Sequence, residues 1–437
     1  MHLFGELEGI ALDSTAEVSR VKLSLAGAVV PRATPTNPAY LALCAASTVL
    51  LLQGPIGPFY DRLARWLQAQ GKRVLRVAFQ GGDLADCRAV EPLAYRGTLE
   101  AWPAFLGELL VREKVDAVVL FGQSRSYHAA AVEEARDRHC AVIVLEEGYF
   151  RPGFVTMELD GVNGYSRTLE NYRWTHETPI PPAPLQADDT PHHFRKMVLH
   201  ATRHYLALWA HRHHFGTYQH HREPSPWHYF RYWMRTWARK AWRYRHDLHL
   251  ESELIASAVP YFLVPLQNDG DAQITHHSVY GENSFFIMEV LRSFAVHAPP
   301  DSKLVFRVHP YARGGHAHRH LIHSVSEDLG LGARVVYLME GHTPMLAQHS
   351  RGVVLINSTV GLQVLERGAP LMALGDALYR RHGLTFPGKL DRFWHEAVPA
   401  DRKTVDAFLE QLKNLTQMPA SVYANADEPL RWPAPLL

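Results

Sequence analysis

Cysteine is scarce in this chain: Cys44, Cys87 and Cys140 are all it carries, far apart, odd in number and without a CxxC pair. That excludes a disulfide framework and a zinc ribbon, and it fits a reducing compartment. An excess of charge of one sign is also lacking. Forty-five Lys and Arg against 44 Asp and Glu leave a formal charge of +1, which excludes a globally basic nucleic-acid coat, and no nucleic-acid partner is expected. Glu6, Glu8 and Asp13 stand where a signal peptide would carry its basic n-region, so the N-terminus does not read as one. Long apolar runs are missing. The longest, AYLALCAASTVLLL at 39 to 52, has 14 residues, where a membrane-spanning helix needs about 20. It reads as the end of a buried helix followed by a core strand, in a protein that is soluble or peripheral. Walker lysine, GxGxxG, HExxH and GxSxG motifs are absent, and no repeat recurs at solenoid spacing.

What is present is enough apolar material for two or three domains: 437 residues, 47% hydrophobic and 20% charged. Short β-branched runs alternate with longer amphipathic stretches, the pattern of a parallel sheet covered by helices. STVLLLQ, RVLRVAF, DAVVLF and CAVIVLE read as strands of a first half, with helices over 58–72, 99–113 and 127–138. PIPPAPLQADDTP (179 to 191) breaks the pattern as a linker. YFLVPLQ, KLVFRVHP, RVVYL, GVVLINS and PLMALG then resume it. The expected domains are an extension at 1–44, a Rossmann-like domain at 45–178, a linker with a basic helical segment at 179–255, and a second Rossmann-like domain at 256–437.

In open α/β sheets, ligands sit outside the carboxyl ends of the strands, so those ends carry the functional reading. VIVLEEGYFRP places Glu146 and Glu147 side by side where an apolar strand is expected to stop. Like charges that close repel and raise at least one pKa, so the pair reads either as a solvated turn or as a poised general acid/base. QNDGDAQI presents Gln267, Asp269 and Asp271 after a strand, which an ordinary turn also explains. FRVHP puts Arg307 and His309 on one face, both able to donate to a phosphate. NSTVGLQVLERG opens a helix in which Ser358 or Thr359 is a sound N-cap, and the free N–H groups there suit an anion. Glu366, two turns along, points back toward that end.

Residues 192 to 250 differ in kind, holding 11 Lys and Arg, 12 of the 28 histidines and five of the ten tryptophans. Within them Ser225 is an N-cap candidate and Pro226 a first helical residue. Arg231, Arg235, Arg239 and Arg243 recur every four residues, with Phe230, Trp233, Met234, Trp237 and Tyr244 on the other side. Such a helix either lies on a membrane surface or packs its aromatic face on the core with a solvated basic edge. The histidine pairs His213–His214 and His220–His221 have no carboxylate or cysteine at ligand spacing, and no metal site is expected.

A carboxylate–carboxylate–Gly turn, an HP at a strand end and an ST helix start, in that order, resemble the motifs of bacterial CMP-sugar transferases. The strings LLQGPIGPFYDRLARWL, RVAFQGGD, EEGYFRP, PLQNDGDAQI, RVHP and NSTVGLQVLERG are similar to those of the capsular polysaccharide biosynthesis family, in its KpsS/LipB-type β-Kdo transferase branch, over about residues 45 to 395. The resemblance implies an α/β, GT-B-like fold of two Rossmann-like domains facing across a cleft. It implies retaining transfer of Kdo from CMP-Kdo to a (lyso)phosphatidylglycerol-type lipid, starting the β-Kdo linker of a capsule. On that resemblance Asp271 is the catalytic aspartate, and Glu146 or Glu147 is the acid/base. Gln267, Arg307, His309, Pro310, Asn357, Ser358, Thr359, Gly361 and Glu366 serve the donor. FGQSRSYH carries Gln123 where the family pattern has an acidic residue. The resemblance implies no cofactor and no metal beyond the CMP-sugar itself. The partners it implies are a lipid acceptor at the anionic surface of the inner membrane, where Arg231, Arg235, Arg239, Arg243, Trp233 and Trp237 would dock, and other capsule biosynthesis or export proteins. The expected location is cytoplasmic, peripheral to that membrane. Two alternatives stay open: a transferase for another CMP-sugar such as sialic acid, and a non-catalytic capsule assembly or export subunit.

Overall fold

Strands that are apolar on both faces are stable only in the middle of a sheet covered on both sides. The computed structural model describes residues 37–170, 173–175, 177, 178, 187, 194–219, 226–268, 274, 278–309 and 317–433. In it the apolar runs form two such sheets. The first half runs α1 (Pro38–Ala45), β1 (Thr48–Leu51), α2 (Phe59–Ala69), β2 (Arg73–Ala78), α3 (Gly81–Ala85) and β3 (Leu93–Ala94). It continues with α4 (Trp102–Arg112), β4 (Ala117–Phe121), α5 (Ser126–Asp137), β5 (Ala141–Glu147) and β6 (Phe154–Leu159). Two helices follow, α6 (Phe194–Ala210) and α7 (Pro226–Ala256). The second half runs β7 (Tyr261–Pro265), α8 (Asn283–His297), β8 (Lys303–Arg307), α9 (Ala317–Asp328), β9 (Val335–Leu338) and α10 (Thr343–His349). It ends with β10 (Gly352–Leu355), α11 (Val360–Glu366), β11 (Leu371–Ala373), α12 (Leu390–Glu396), α13 (Arg402–Thr416) and β12 (Gln417–Pro419).

The first sheet has the order β12-β6-β5-β4-β1-β2-β3, in which β6 alone runs against the rest, antiparallel to both of its neighbours β5 and β12. The second is β11-β10-β7-β8-β9 and wholly parallel. In both, the chain first moves outward from its first strand and then returns to that strand's other side. Strand order therefore reverses between β1 and β4 and again between β7 and β10, and in open α/β sheets the carboxyl ends at such a reversal are where ligands bind. Helix-borne aromatics fill the layers over each sheet. Phe59, Tyr60 and Trp66 cover one face of the first and Trp102 and Tyr127 the other. Phe286, Phe294 and Trp394 cover one face of the second, with Leu346, Leu362 and Phe408 opposite.

Three features depart from the sequence reading. The buried helix end expected before the first strand is α1, but most of it falls within residues 1–44, assigned to an extension, whereas its Ala39, Tyr40 and Leu43 are fully buried in the first core. Strand β6 was not anticipated; it lies antiparallel to β5 and turns EEGYFRP into a hairpin. The chain beyond Thr416, assigned to the second domain, returns to the first. There β12 pairs with β6, and Trp432 packs on Tyr40 and Trp66 with ring centroids 6.2 and 5.3 Å away. Buried Arg62 fixes this tail by donating to the Ser421 and Glu428 carbonyls at 2.7 and 2.6 Å. Periodicity reports what an element buries, not which sheet it buries it against, so the returning tail left no mark in it.

Removing the Trp432 ring leaves a cavity between α1 and α2. Trp432→Ala is expected to lower unfolding stability by about 3 kcal/mol, read by urea denaturation. A loss under about 0.5 kcal/mol would mean that the tail does not belong to the first core.

Candidate active site at the carboxyl edges of the two sheets

Strand β5 does not stop before its carboxylates. Glu146 pairs with Thr156 of β6 and Glu147 with Val155, so both remain in the ladder. Successive side chains of a strand point to opposite faces, and the two glutamates therefore part company. Glu147 ion-pairs with Arg151 at the surface, and the Tyr423 hydroxyl donates to it at 3.3 Å. Glu146 Oε2 accepts from Asn163 Nδ2 at 2.7 Å. The mutual repulsion expected of adjacent carboxylates is thus replaced by two separate environments. Gly122, at the end of β4, lies beside Glu146: a Cβ built there would sit 3.9 Å from Glu146 Oε1 and 3.7 Å from Arg125 Nε. Arg125 in turn donates to Gln53 Oε1 at 3.0 Å and to the Gly54 carbonyl at 3.2 Å, tying β4 to β1 across the first reversal point.

Next to this edge lies a buried carboxyl group that sequence reasoning missed. Glu158 of β6 is 1% exposed. Burial pushes it up from the ordinary 4.5 to about 7, against hydrogen bonds from Ser166, Thr168 and Tyr149 that pull the other way. Tyr149 Oη donates to Glu158 Oε1 at 2.8 Å and accepts from Asn163 N at 2.7 Å. Asn163 has a left-handed φ of +58°, a conformation asparagine tolerates better than most residues. Gln123 Oε1 accepts from Val162 N at 3.0 Å and holds the same loop from the β4 side. The signals were present in GVNG, a turn sequence, and in a Thr156/Glu158 alternation that no strand had been proposed to carry.

The β2 end, QGGD, is covered by α6. A Cβ at Gly81 would lie 2.3 Å from the Ala207 carbonyl, and one at Gly82 would lie 2.3 Å from the His204 ring, so only bare backbone fits. His204 and Arg203 hold Asp86 at 2.9 and 3.1 Å, while Asp83 accepts from Gln53 Nε2 at 3.1 Å and from Phe79 N at 3.0 Å.

At the second reversal point the Gln267 and Asn357 side chains clasp each other. Gln267 Nε2 donates to Asn357 Oδ1 at 3.1 Å, and Asn357 N donates back to Gln267 Oε1 at 3.3 Å. Both are buried. Arg307, also buried, donates to the carbonyls of Val308 and of Gly341, the latter at 3.1 Å, and so braces the loop after β9. His309 follows β8, half-buried at the same edge. Ser358 Oγ accepts from Val360 N at 3.3 Å; Thr359 is the N-cap of α11 but makes no side-chain cap bond. A Cβ at Gly361 would strike the Tyr379 ring at 2.3 Å, so this glycine makes room for an aromatic. Glu366 closes the seven-residue α11 at the end away from Ser358, with its side chain exposed. Asp271 and Pro310 lie outside the described residues.

The arginine stripe of α7 divides. Arg231 and Arg235 are exposed, Arg239 is half-buried, and Arg243 pairs at 3.1 Å with Asp247, which is completely buried. Asp247 Oδ2 accepts from Met339 N and Glu340 N at 2.9 and 3.1 Å, and Glu251 from His342 N at 2.9 Å. The helix thus packs a polar face on the second domain, while Met234, Trp237, Trp242 and Tyr244 face solvent. That overturns the expectation of an aromatic face on the core. The Trp233 side chain and Ser225 lie outside the described residues. Among the described residues no helix is long and apolar enough to cross a membrane.

Two Rossmann-like sheets, each reversing at its first strand, define a GT-B-like protein. The chain belongs to the capsule polysaccharide biosynthesis family: the model of that family, "Capsule polysaccharide biosynthesis protein", matches residues 116–423. The chain is 36% identical over 386 residues to the capsule polysaccharide export protein KpsS of Escherichia coli, covering 88% of this chain and 99% of that one. It is 33% identical over 391 residues to the capsule polysaccharide modification protein LipB of Neisseria meningitidis serogroup A, covering 87% and 92%. Among solved structures, the beta Kdo 2,7 transferase KpsC of Thermosulfurimonas dismutans aligns with a TM-score of 0.38 at 15% identity, over 82% of this chain and 89% of that one.

Because its pKa is raised on folding, Glu158 stabilises the fold below about pH 4.5, and this contribution is lost as pH rises through about 7. Wild type is expected to lose up to about 3 kcal/mol more than Glu158→Gln between pH 4.5 and 8, measured by urea denaturation. Parallel pH profiles would contradict the assignment.

Proposed function

We propose that this chain transfers Kdo from CMP-Kdo, with retention, to a (lyso)phosphatidylglycerol-type lipid, starting the β-Kdo linker of a capsular polysaccharide. The observation that carries the reading is a half-exposed carboxylate, Glu146, on the strand edge of one Rossmann-like sheet, in a chain of this family whose second sheet offers His309 at the matching edge. A carboxylate serves retention either by stabilising an oxocarbenium-like centre or as a nucleophile, and the nucleophilic route runs through two displacements. In the first, the carboxylate assigned to Asp271 bonds to the anomeric carbon while the bond to CMP breaks, the phosphate leaving with the electron pair. In the second, the acceptor oxygen bonds to that carbon and displaces the carboxylate. The hydroxyl proton passes to the Glu146–Glu147 pair. His309 and Arg307 would meet the phosphate, and Pro310 belongs to the same donor set. Ser358 and Thr359 would meet the phosphate or cytidine and Glu366 the ribose, on Gly361 and the Gln267–Asn357 clasp as framework. No metal enters this scheme.

With CMP-Kdo and a fluorescent phosphatidylglycerol, mass spectrometry is expected to show a single-Kdo increment, undiminished in EDTA. Asp271→Asn and the double variant Glu146→Gln/Glu147→Gln should lower the rate by at least about 10²-fold while folding normally. An increment from CMP-sialic acid alone would change the donor; silence with every donor would favour an assembly or export subunit. Loss in EDTA restored by a divalent ion would overturn the metal-free scheme.

We also propose that α7 lies on an anionic membrane through Arg231, Arg235 and Trp237, with Arg239, Arg243 and Trp233 on the same helix. Each basic residue near such a surface contributes about 1 kcal/mol. Arg231→Glu/Arg235→Glu should cut co-sedimentation with phosphatidylglycerol vesicles at least about tenfold. Equal binding to neutral vesicles would contradict it.

A further inference from the structure

We propose that Asn163, Tyr149 and Glu158 are positioning residues that select Glu146, rather than Glu147, as the acid/base. The inference rests on the reading that this pair serves the transfer. The two glutamates are chemically identical and adjacent, so only their surroundings distinguish them. Glu147 faces outward to Arg151, with a side chain 39% exposed. Arg151 and Tyr423 occupy its two oxygens from that side, away from the hairpin network.

Glu146 is held differently. Its Oε2 takes the Asn163 amide at 2.7 Å; the Asn163 backbone N–H reaches Tyr149 Oη at 2.7 Å; and that hydroxyl donates to Glu158 Oε1 at 2.8 Å. Each link fixes the next, and the last lies on a strand paired directly with β5, Glu158 standing opposite Val144. The chain of bonds therefore connects the catalytic carboxylate to a rigid part of the sheet. Groups that face Glu146 are Arg125 and Gly122 from the β4 end, with His128 behind them on the Gly122 carbonyl; Tyr149 and Glu158 from the hairpin; and Glu147 from the opposite side of its own strand. Tyr149 also joins the apolar cluster of Leu263, Leu355 and Phe408 in the second domain, so the network sits at the seam between the sheets. As base, Glu146 takes the acceptor hydroxyl's proton while that oxygen bonds to the anomeric carbon and the sugar–carboxylate bond breaks toward the aspartate.

The test is Asn163→Gly, which keeps the left-handed backbone and the N–H to Tyr149 but removes the side-chain donor. A donor stabilises the charged carboxylate, so its loss raises the pH at which Glu146 becomes a base. The expected result is a kcat about tenfold lower, an unchanged KM for CMP-Kdo, and an acid limb of the pH profile displaced upward by roughly one unit. Tyr149→Phe should move the limb the same way by less, whereas Tyr423→Phe, on the Glu147 side, should leave it in place. Carboxyl ¹³C NMR of glutamate-labelled chain, its Glu146 signal identified by loss in Glu146→Gln, reads the same titration without turnover. If wild type transfers nothing, the functional reading fails, and the NMR titration still decides the network. An unmoved resonance in Asn163→Gly, or an equal movement in Tyr423→Phe, would overturn the proposal.

Discussion

A parallel sheet leaves its polar groups at one edge. Every strand of such a sheet ends on the same side, and where strand order reverses, the loops diverge and expose backbone and side chains that nothing else covers. This chain builds that situation twice, between β1 and β4 and between β7 and β10. Each time it spans the gap with a polar side chain: Arg125 reaching Gln53 and Gly54 in the first sheet, Gln267 clasping Asn357 in the second. The buried amide pair is satisfied on both sides, which is the condition for polar groups to be stable there at all. The chemistry proposed for the protein depends on these two braces, because they decide where the strand ends stand.

The connecting helices follow the same logic. Helix α6 rides on the Gly81–Gly82 turn of the first sheet and is held by Asp86. Helix α7 is held by Asp247 and Glu251 on the loop after β9. One stretch of unusual composition is therefore two elements, each fastened to a different sheet by buried carboxylates that accept from backbone N–H groups or from cations. A buried carboxylate without such donors would be costly, so these residues mark where the helices must sit. The outward faces are left with Trp209, Trp237 and Trp242.

Much of this was legible in the sequence, for physical reasons. Strands buried on both faces show as continuous apolar runs, and each of the nine runs singled out lies on a strand. The strand-end rule then directed attention to Glu146, Gln267, Arg307, His309 and Asn357. Long-range geometry was not legible. The β5–β6 hairpin separates Glu146 from Glu147, and nothing local to EEGYFRP distinguishes a terminating strand from a turning one. Glu158 sits in a strand whose alternation is polar on one buried face, so it reads as solvated until its partners Tyr149 and Ser166 are seen. The arginine stripe was read as one surface, yet Arg243 turns inward because Asp247, one turn on, is buried against the β9 loop.

The central claim is that the two carboxyl edges form one active centre, with the nucleotide on the second sheet and the acid/base on the first. A crystal structure with CMP bound tests it most directly. The account predicts the phosphate within hydrogen-bonding distance of His309, about 3 Å, at the reversal point braced by Gln267 and Asn357, with the open side of the phosphate toward Glu146. CMP seated against the first sheet, or in the groove beside α8 with the β7–β10 edge empty, would contradict it.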